Sequence, residues 1–456
     1  MTRQGVKFPS EHAVLPLQAG TFHIEWWGCQ MNVYDAGRIR DLMQAAGYAE
    51  CSGPQGAEVV VLVTCAIRAK AEDKVFSQIG AWKKSGALRR GTIVALGGCV
   101  GEELAAAIPA MEPAVSIVFG PQTAHRLPEL IGRFRAEGRP VVEVGGDALE
   151  KFSALPPPGR QGPSAFVTIM EGCAHNCSYC IVPQTRGGEV SRPVADILQE
   201  ARAHLDMGAR EIHLLGQNVN GYRGLDRDGS LLPFSGLLYE IAALQGVERI
   251  RFTTSNPMEF GSDLVEALRD VDVIASSIHI PVQSGSDRIL QGMNRRYTAA
   301  GYRRLAEQLR AARPDVCIST DFIVGFPGET DDDFAATLRL VDDIGFDQSF
   351  SFIYSPRPGT PAAALEDHTP AAVKSERLHV LQQHLEAHAA RHAQALVGTH
   401  QRVLVEGTAR RDADMLRGRT SSNRIVVFRG DPGLIGTMAD VQIRGCAGHT
   451  LKGELS

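Results

Sequence analysis

The chain has 456 residues, 44% of them hydrophobic, a net charge of -5 and a pI near 6.3, which is room for about three domains of ~150 residues with full cores. The acidic balance excludes a protein that holds nucleic acid by bulk charge, so any RNA surface must be local. No apolar run reaches the ~18 residues of a membrane span, and residues 1–16 carry charges and prolines where a signal peptide has an apolar core. A cytoplasmic location is expected, and nine cysteines in such a chain point to metal or redox chemistry instead of disulfides.

Between residues 21 and about 145, apolar β-rich runs at 22–27, 58–64, 92–96 and 115–119 alternate with helical patterns such as 35–46 and 122–134, the mark of a parallel sheet with crossover helices. Cys29, Cys65 and Cys99 each fall just after one of the first three strands. Strand ends of a parallel sheet share one edge, where ligands bind, so three thiols distant in sequence converge in space. Small core cysteines are the competing reading, but three at one phase of successive βα units favour ligation of a metal centre.

Residues 151–164, with four prolines and two glycines, read as a linker. Six strand-like runs follow at 166–170, 211–215, 249–253, 277–281, 317–324 and 348–353, separated by amphipathic stretches at 195–205, 234–244, 302–312 and 333–344. This predicts a partial (β/α)6 barrel, with chemistry at the C-terminal strand ends. After its first strand, Cys173, Cys177 and Cys180 stand at C-x3-C-x2-C spacing. Thiolates so close call for a soft metal centre, and three ligands leave one iron of a 4Fe-4S cluster open to a reactant. A Cys3His zinc site using His175 is the rival; it is disfavoured because zinc knuckles draw ligands from two separated pairs.

The later strand ends are polar: Gly216-Gln217-Asn218-Val219-Asn220, Thr254-Ser255-Asn256-Pro257, the stretch 282–287, and Ser319-Thr320-Asp321 with Gly325-Phe326-Pro327-Gly328-Glu329. Any one fits turn chemistry, but together they suggest a lined pocket. Arg186 and Arg192 after the cysteine loop are candidates for a carboxylate or phosphate, with solvent exposure as the alternative. Met258, Phe260 and Phe326 could supply an apolar mouth. Cys51 and Cys317 have no spaced partner and read as a loop and a core thiol. A helix capped by Thr369, with Pro370 in its first turn, is expected to run to about 395. Its histidines 379, 384, 388 and 392, lacking acidic or cysteine partners, read as a solvated face. Beyond 398, glycine-punctuated runs at 401–406, 423–428 and 438–443 predict a small antiparallel β-barrel with nine basic and six acidic side chains from 396 on, suited to the phosphates of structured RNA. Among the basic ones are Arg402, Arg410, Arg411, Arg417, Arg419, Arg424, Arg429, Arg444 and Lys452.

The C-x3-C-x2-C loop with Tyr179 before its last cysteine resembles the signature of the radical S-adenosylmethionine (SAM) enzymes. Gly28-Cys29-Gln30-Met31-Asn32, Thr64-Cys65-Ala66-Ile67-Arg68 with Lys70, Glu72 and Lys74, and Gly98-Cys99-Val100 resemble the N-terminal motifs of the methylthiotransferases, from which Val63 and Trp27 depart. The stretch from Val405-Glu406-Gly407 to Asn423-Arg424 resembles a TRAM domain. The resemblance implies an α/β chain of three units: residues 21–147 with an auxiliary cluster, a radical SAM barrel at 160–395, and a TRAM-like RNA-binding β-barrel at 396–456. It implies two 4Fe-4S clusters, on Cys29, Cys65 and Cys99 and on Cys173, Cys177 and Cys180. It also implies S-adenosyl-L-methionine held by Gln217, Gln283, Ser319 and Asp321, with Tyr179 near adenine, and no side-chain acid or base.

Gly28 to Asn32, the run 68–76 and Leu215 to Asn220 are most similar to the branch that methylthiolates C2 of N6-isopentenyladenosine beside the anticodon. That branch forms 2-methylthio-N6-isopentenyladenosine: one SAM methylates a sulfur, and a second yields the radical that abstracts hydrogen. The implied partners are tRNA bearing isopentenyladenosine and an electron donor such as flavodoxin, with no membrane and a monomeric state. The alternatives are methylthiotransferases acting on threonylcarbamoyl-adenosine tRNA or on a ribosomal-protein aspartate and, in another class, a non-enzymatic iron-sulfur RNA-binding protein.

Overall fold

A computed structural model describes residues 20–66, 69–410 and 412–456. Residues 1–16, Ile67, Arg68 and Arg411, and the side chains of Lys70 and Glu72, singled out above, lie outside the described residues. The first unit is a six-stranded parallel sheet of β1 (Thr21–Trp27), β2 (Ala49–Glu50), β3 (Val59–Thr64), β4 (Ile93–Gly98), β5 (Val115–Phe119) and β6 (Val141–Glu143), in the order β2-β1-β3-β4-β5-β6. Every residue of β3 and β4 is buried, with Val59, Val61 and Val63 in one core and Val60 and Leu62 in the other. Helices cover both faces, which is why these strands read as unbroken apolar runs. The short β2 and β6 carry too little pattern to be read from sequence. The helix expected from residue 35 begins at Gln30, with Cys29 in the N-cap position.

Residues 151–164 are not all linker. Residues Ala148–Ala154 form a helix, and Lys151 on it is 1% exposed, paired with Asp35 at 2.9 Å and with Glu171. A lysine in a proline-rich stretch reads as solvated; here a carboxylate on each side offsets its desolvation.

The six central strands are Ser164–Thr168, Glu211–Leu215, Arg249–Phe252, Ser277–His279, Cys317–Val324 and Gln348–Ile353. They form two three-stranded parallel sheets in sequence order, bridged between Ile250 and Ile274. The result is the partial barrel, filled by a single large apolar cluster. The first unit sits over its C-terminal strand ends: Gln30 is hydrogen-bonded to Thr253 at 3.1 Å, and the Met31 sulfur accepts from Thr168 at 3.8 Å.

Behind the barrel, the helix Ala371–Ala395 has Pro370, not Thr369, in the N-cap position. Its histidines are not merely a solvated face. His384 and His388 are hydrogen-bonded to Asp342 at 3.2 and 3.1 Å, an acidic partner supplied by the neighbouring helix Asp331–Ile344.

The C-terminal unit is a closed barrel of five strands: His400–Ala409, Asp412–Arg419, Ile425–Arg429, Thr450–Leu455 and Met438–Ala447, in that order around it. It is antiparallel except where Ile425–Arg429 pairs parallel with Thr450–Leu455, a departure from the all-antiparallel expectation. Closure removes every free edge, and a parallel seam lets an odd number of strands close. This unit caps the opposite, N-terminal ends of the central strands. Arg249 donates to the carbonyls of Arg419 and Arg402, both at 3.0 Å, and Arg251 to that of Ser421 at 2.9 Å. Arg424, 1% exposed, reaches Asp347 just before the sixth strand. Among the described residues, no helix is long and apolar enough to cross a membrane.

Candidate functional site

The cysteine loop leaves the short strand Met170–Glu171 through Gly172 at φ +76°, where a Cβ would run into the backbone of Gly187 and Gly188. Only glycine fits there. The loop is pinned at its neck by the Gly172 N–H donating to Gln217 at 2.6 Å. At its far side Ser178 donates to Met293 O at 3.0 Å and, through its hydroxyl, to Gly292 O at 2.7 Å. Burial pushes the Cys173 thiol up to about 11 and the Cys180 thiol up to about 12, each raised further by the Cys177 sulfur beside it. His175 Nε2 is hydrogen-bonded to Glu259 at 3.1 Å, which leaves Nδ1 as the ring's other nitrogen.

Over the mouth lies the second set of thiols. β1, β3 and β4 are adjacent, with Trp27 paired to Thr64 and Thr64 to Gly98. Cys65 and Cys99 therefore leave the sheet on the same rung, with Cys29 one residue further on. Gly28 at φ +122° and Gly98 at φ +86° allow the turns to touch: a Cβ on the first would strike Cys65, and on the second the Thr64 backbone. The Asn32 amide fits between the two glycines and is bonded to Cys29 Sγ at 3.1 Å. Its Nδ2 is buried with no partner among the described residues.

Cys65 and Cys99 are buried, while Cys29 faces the opening. A hydrogen bond from Cys65, helped by the Arg186 guanidinium, brings the Cys29 thiol down to about 6; burial raises that of Cys99 against the pull of Arg186. Among the described residues, no group of three or more His, Cys, Asp and Glu side chains is arranged to grip a metal ion. Soft donors in threes, packed beside an orphaned amide donor, nonetheless fit a sulfide-rich centre that displaces their protons on binding.

The two sets of thiols are joined through Arg186. The helix Val182–Arg186 starts two residues after Cys180 and ends in a buried guanidinium that donates to Asp35 at 2.8 Å and Glu171 at 3.3 Å. Arg192 is also buried, donating to Glu200 at 2.7 Å and Thr168 O at 2.6 Å while stacked 4.4 Å from the Phe152 ring. Both arginines are therefore buried ion-pair partners and not solvated side chains, and Arg186 also meets the Cys99 thiol.

The other predicted pocket residues fall into three places. Ser319 and Asp321 share one face of the fifth strand and bracket the His279 ring, at 3.0 and 3.5 Å. Gln283, at φ +71°, joins them by donating its N–H to Asp321 O at 2.8 Å. Gln217 stands apart at the cysteine-loop neck. Tyr179 turns into an apolar cluster with Met293, Phe326 and Tyr354. Phe326 is thereby 1% exposed and not part of an apolar mouth; Phe260 packs on the barrel core, and Met258 alone of the three is exposed.

A family model described as the Radical SAM superfamily matches residues 167–341, the Uncharacterized protein family UPF0004 matches 21–120, and the TRAM domain matches 394–456. The tRNA-2-methylthio-N(6)-dimethylallyladenosine synthase of Alkalilimnicola ehrlichii is 50% identical to this chain over 437 residues, 96% of this chain and 97% of that protein. Proteins of the same description from Vibrio cholerae and Xanthomonas campestris are 49% and 51% identical, covering 95% and 96% of this chain and 91% and 92% of theirs. The chain belongs to this family of radical SAM methylthiotransferases.

Among solved structures, the cobalamin-dependent SAM radical enzyme OxsB superposes with a TM-score of 0.52 at 13% identity, covering 82% of this chain and 57% of that one. The radical SAM methyltransferase TsrM of Kitasatospora setae does so with 0.53 at 14%, covering 76% and 77%. At such identities the likeness shows the fold alone. Membership of the methylthiotransferase family brings use of SAM and an iron-sulfur cluster.

The structure adds side chains that sequence reasoning passed over. Glu259 accepts from Asn218 at 2.6 Å as well as meeting His175, and Glu189 accepts from the same amide at 3.3 Å. Burial raises the Glu189 carboxyl, whereas His175 and Asn218 outweigh burial to lower that of Glu259. Two carboxylates sharing one amide donor keep acceptor capacity to spare beside the cysteine loop. Glu259 follows the polar end of the third strand by two residues, a signal within reach; His279, inside an apolar strand, gave none.

Proposed function

We propose that this methylthiotransferase acts on tRNA, converting N6-isopentenyladenosine next to the anticodon to its 2-methylthio derivative. The observation that supports the reading is convergence. Gln30 and Met31 dock the turn bearing Cys29 onto the ends of the third and first barrel strands, so both sets of thiols face one mouth. When bound, a 4Fe-4S cluster on Cys173, Cys177 and Cys180 supplies the electron that cleaves SAM to a hydrogen-abstracting radical, and a second on Cys29, Cys65 and Cys99 supplies the sulfur.

The chain's own residues ligate, orient and exclude water. Glu189 and Glu259 offer acceptors for an ammonium group beside the loop, and Ser319, Asp321 and Gln283 offer hydrogen-bonding groups on the facing wall. The functional units are taken as 21–147, 160–395 and 396–456, working as a monomer in the cytoplasm with an electron donor of the flavodoxin kind. A ribosomal-protein aspartate is the weaker reading, because the relatives that match nearly the whole chain are described as tRNA-2-methylthio-N(6)-dimethylallyladenosine synthases; Arg186 and Arg192, the cations first considered for it, are held in internal ion pairs.

The test is mass spectrometry of nucleosides from tRNA incubated anaerobically with the enzyme, SAM and a reductant. Methylthio label is expected in isopentenylated tRNA and not in unmodified tRNA. Equal labelling of both, or labelling of ribosomal protein alone, overturns the proposal.

A further inference from the structure

Two recesses open beside the cysteine loop. Residues 174–177 and the turn Asn294-Arg295-Arg296 line the first; Asn220, Arg223, Phe234 and Leu264 line part of the second; Met258 borders both. The turn is built into the loop. Asn294 adopts φ +56°, a left-handed conformation that asparagine tolerates, and its side-chain amide donates to Asn176 O at 2.6 Å. Ser178 holds Gly292 and Met293 from the other side.

The turn presents two arginines in succession. Arg295 lies 5.7 Å from the Tyr297 ring and meets the Tyr179 hydroxyl beside Cys177, while its Nε is buried with no hydrogen-bond partner among the described residues. Such an orphaned donor is costly unless something accepts from it. Arg296 is exposed, with no side-chain ion pair or hydrogen bond among the described residues. No carboxylate lines this recess; Glu259 nearby is already bonded to His175 and Asn218.

Charge placement in the whole chain sharpens the point. The basic C-terminal barrel is fastened to the N-terminal ends of the central strands by Arg249, Arg251 and Arg424, at the far end from the cysteine loop. Arg186 and Arg192 are buried in ion pairs. A polyanion drawn into the mouth must therefore find its cations there, and the 294–296 turn carries two.

We propose that this recess is a phosphate site for the tRNA anticodon loop, in which Arg296 and Arg295 hold a backbone phosphodiester near the nucleotide presented to the mouth. The inference rests on the tRNA reading above and adds a positioning contact to it. Arg296 is the residue to test, because its exposure lets it be changed without disturbing the fold.

The experiment measures binding of isopentenylated tRNA to the full-length protein by fluorescence anisotropy across a potassium chloride series, for the parent, Arg296→Ala, Arg296→Lys and, as a remote control, Arg269→Ala. One lost phosphate contact should flatten the slope of log affinity against log salt by about 0.7 and weaken binding about fivefold to tenfold. Arg296→Lys should keep the slope, and Arg269→Ala should match the parent. Unchanged affinity and slope in Arg296→Ala overturn the site. So does a rise in the SAM concentration needed for half-maximal cleavage with tRNA affinity intact, which would make the anion the SAM carboxylate. A parent protein that fails to bind tRNA brings down the functional reading together with this inference.

Discussion

The two ends of the central barrel are built from the same kinds of residue for opposite purposes. At the base, Arg249 and Arg251 converge on Glu211 at 3.4 and 2.8 Å and spend their other donors on carbonyls of the C-terminal unit. At the mouth, three thiols, a pair of carboxylates and an arginine with an orphaned Nε stand around open space. The base groups are spent mainly on joining two units, although Arg424 keeps Nε and Nη1 without a partner among the described residues; the mouth groups surround open space. The mouth should therefore govern chemistry and the base stability, and the experiments below can break or refine that division.

Cys173→Ala should abolish SAM cleavage while leaving the urea unfolding midpoint of the metal-free protein close to the parent's. Replacing Cys29, Cys65 and Cys99 together should keep cleavage, lose methylthio product and remove about half of the iron, from about eight per chain. Equal iron in variant and parent would dismiss the upper site. Next in size, Arg424→Met leaves Asp347 buried beside it without its closest cation, which should cost about 3–5 kcal/mol in urea unfolding. SAM cleavage per folded molecule should persist, and deleting residues 396–456 should act the same way more strongly. Loss of cleavage in correctly folded Arg424→Met would show that the base reaches the chemistry.

Asp35→Asn tests the division from the other side, since this carboxylate lies at the mouth yet is paired like a base residue, to Lys151 and Arg186. It should destabilise by about 3 kcal/mol and lower the iron held by the first unit more than that held by the barrel loop. The smallest effect is a pH dependence from the base. Burial lowers His213 to about 4, and its Nε2 is buried without a partner among the described residues. A histidine held neutral in the folded chain and protonated in the unfolded one gives stability that is full above pH 6.5 and falls as pH drops toward 4. The loss between pH 7 and pH 5 should be about 2 kcal/mol and should vanish in His213→Phe; an unchanged slope would exclude the residue as its source.

What the sequence disclosed follows the range of the forces involved. The loop of Cys173, Cys177 and Cys180 is legible because its spacing is local. The upper triad is legible only through the fold, since a glycine or threonine followed by cysteine at the end of adjacent parallel strands fixes the rung on which each thiol emerges. Arg186 and Arg192 were misjudged because the carboxylate that buries Arg186, Asp35, is 151 positions away, and no pattern around either arginine announces its partner. Lys151 was hidden in the same way by the prolines that follow it. Tyr179 and Phe326 look alike from sequence as aromatic residues at a mouth, and only packing shows both turned into the cluster with Met293 and Tyr354.

The quartet of Asp35, Lys151, Glu171 and Arg186 also bears on how such chains can be recombined. Two of its members come from the first unit or its trailing helix and two from the barrel, and each side contributes one positive and one negative group. A hybrid spliced between residues 155 and 163 keeps both halves whole, and exchange between homologues succeeds where each parent has kept the same signs at those four positions. A splice made before Lys151 parts it from Asp35, so that the boundary suited to shuffling lies after the helix and not at the first sign of the proline-rich stretch.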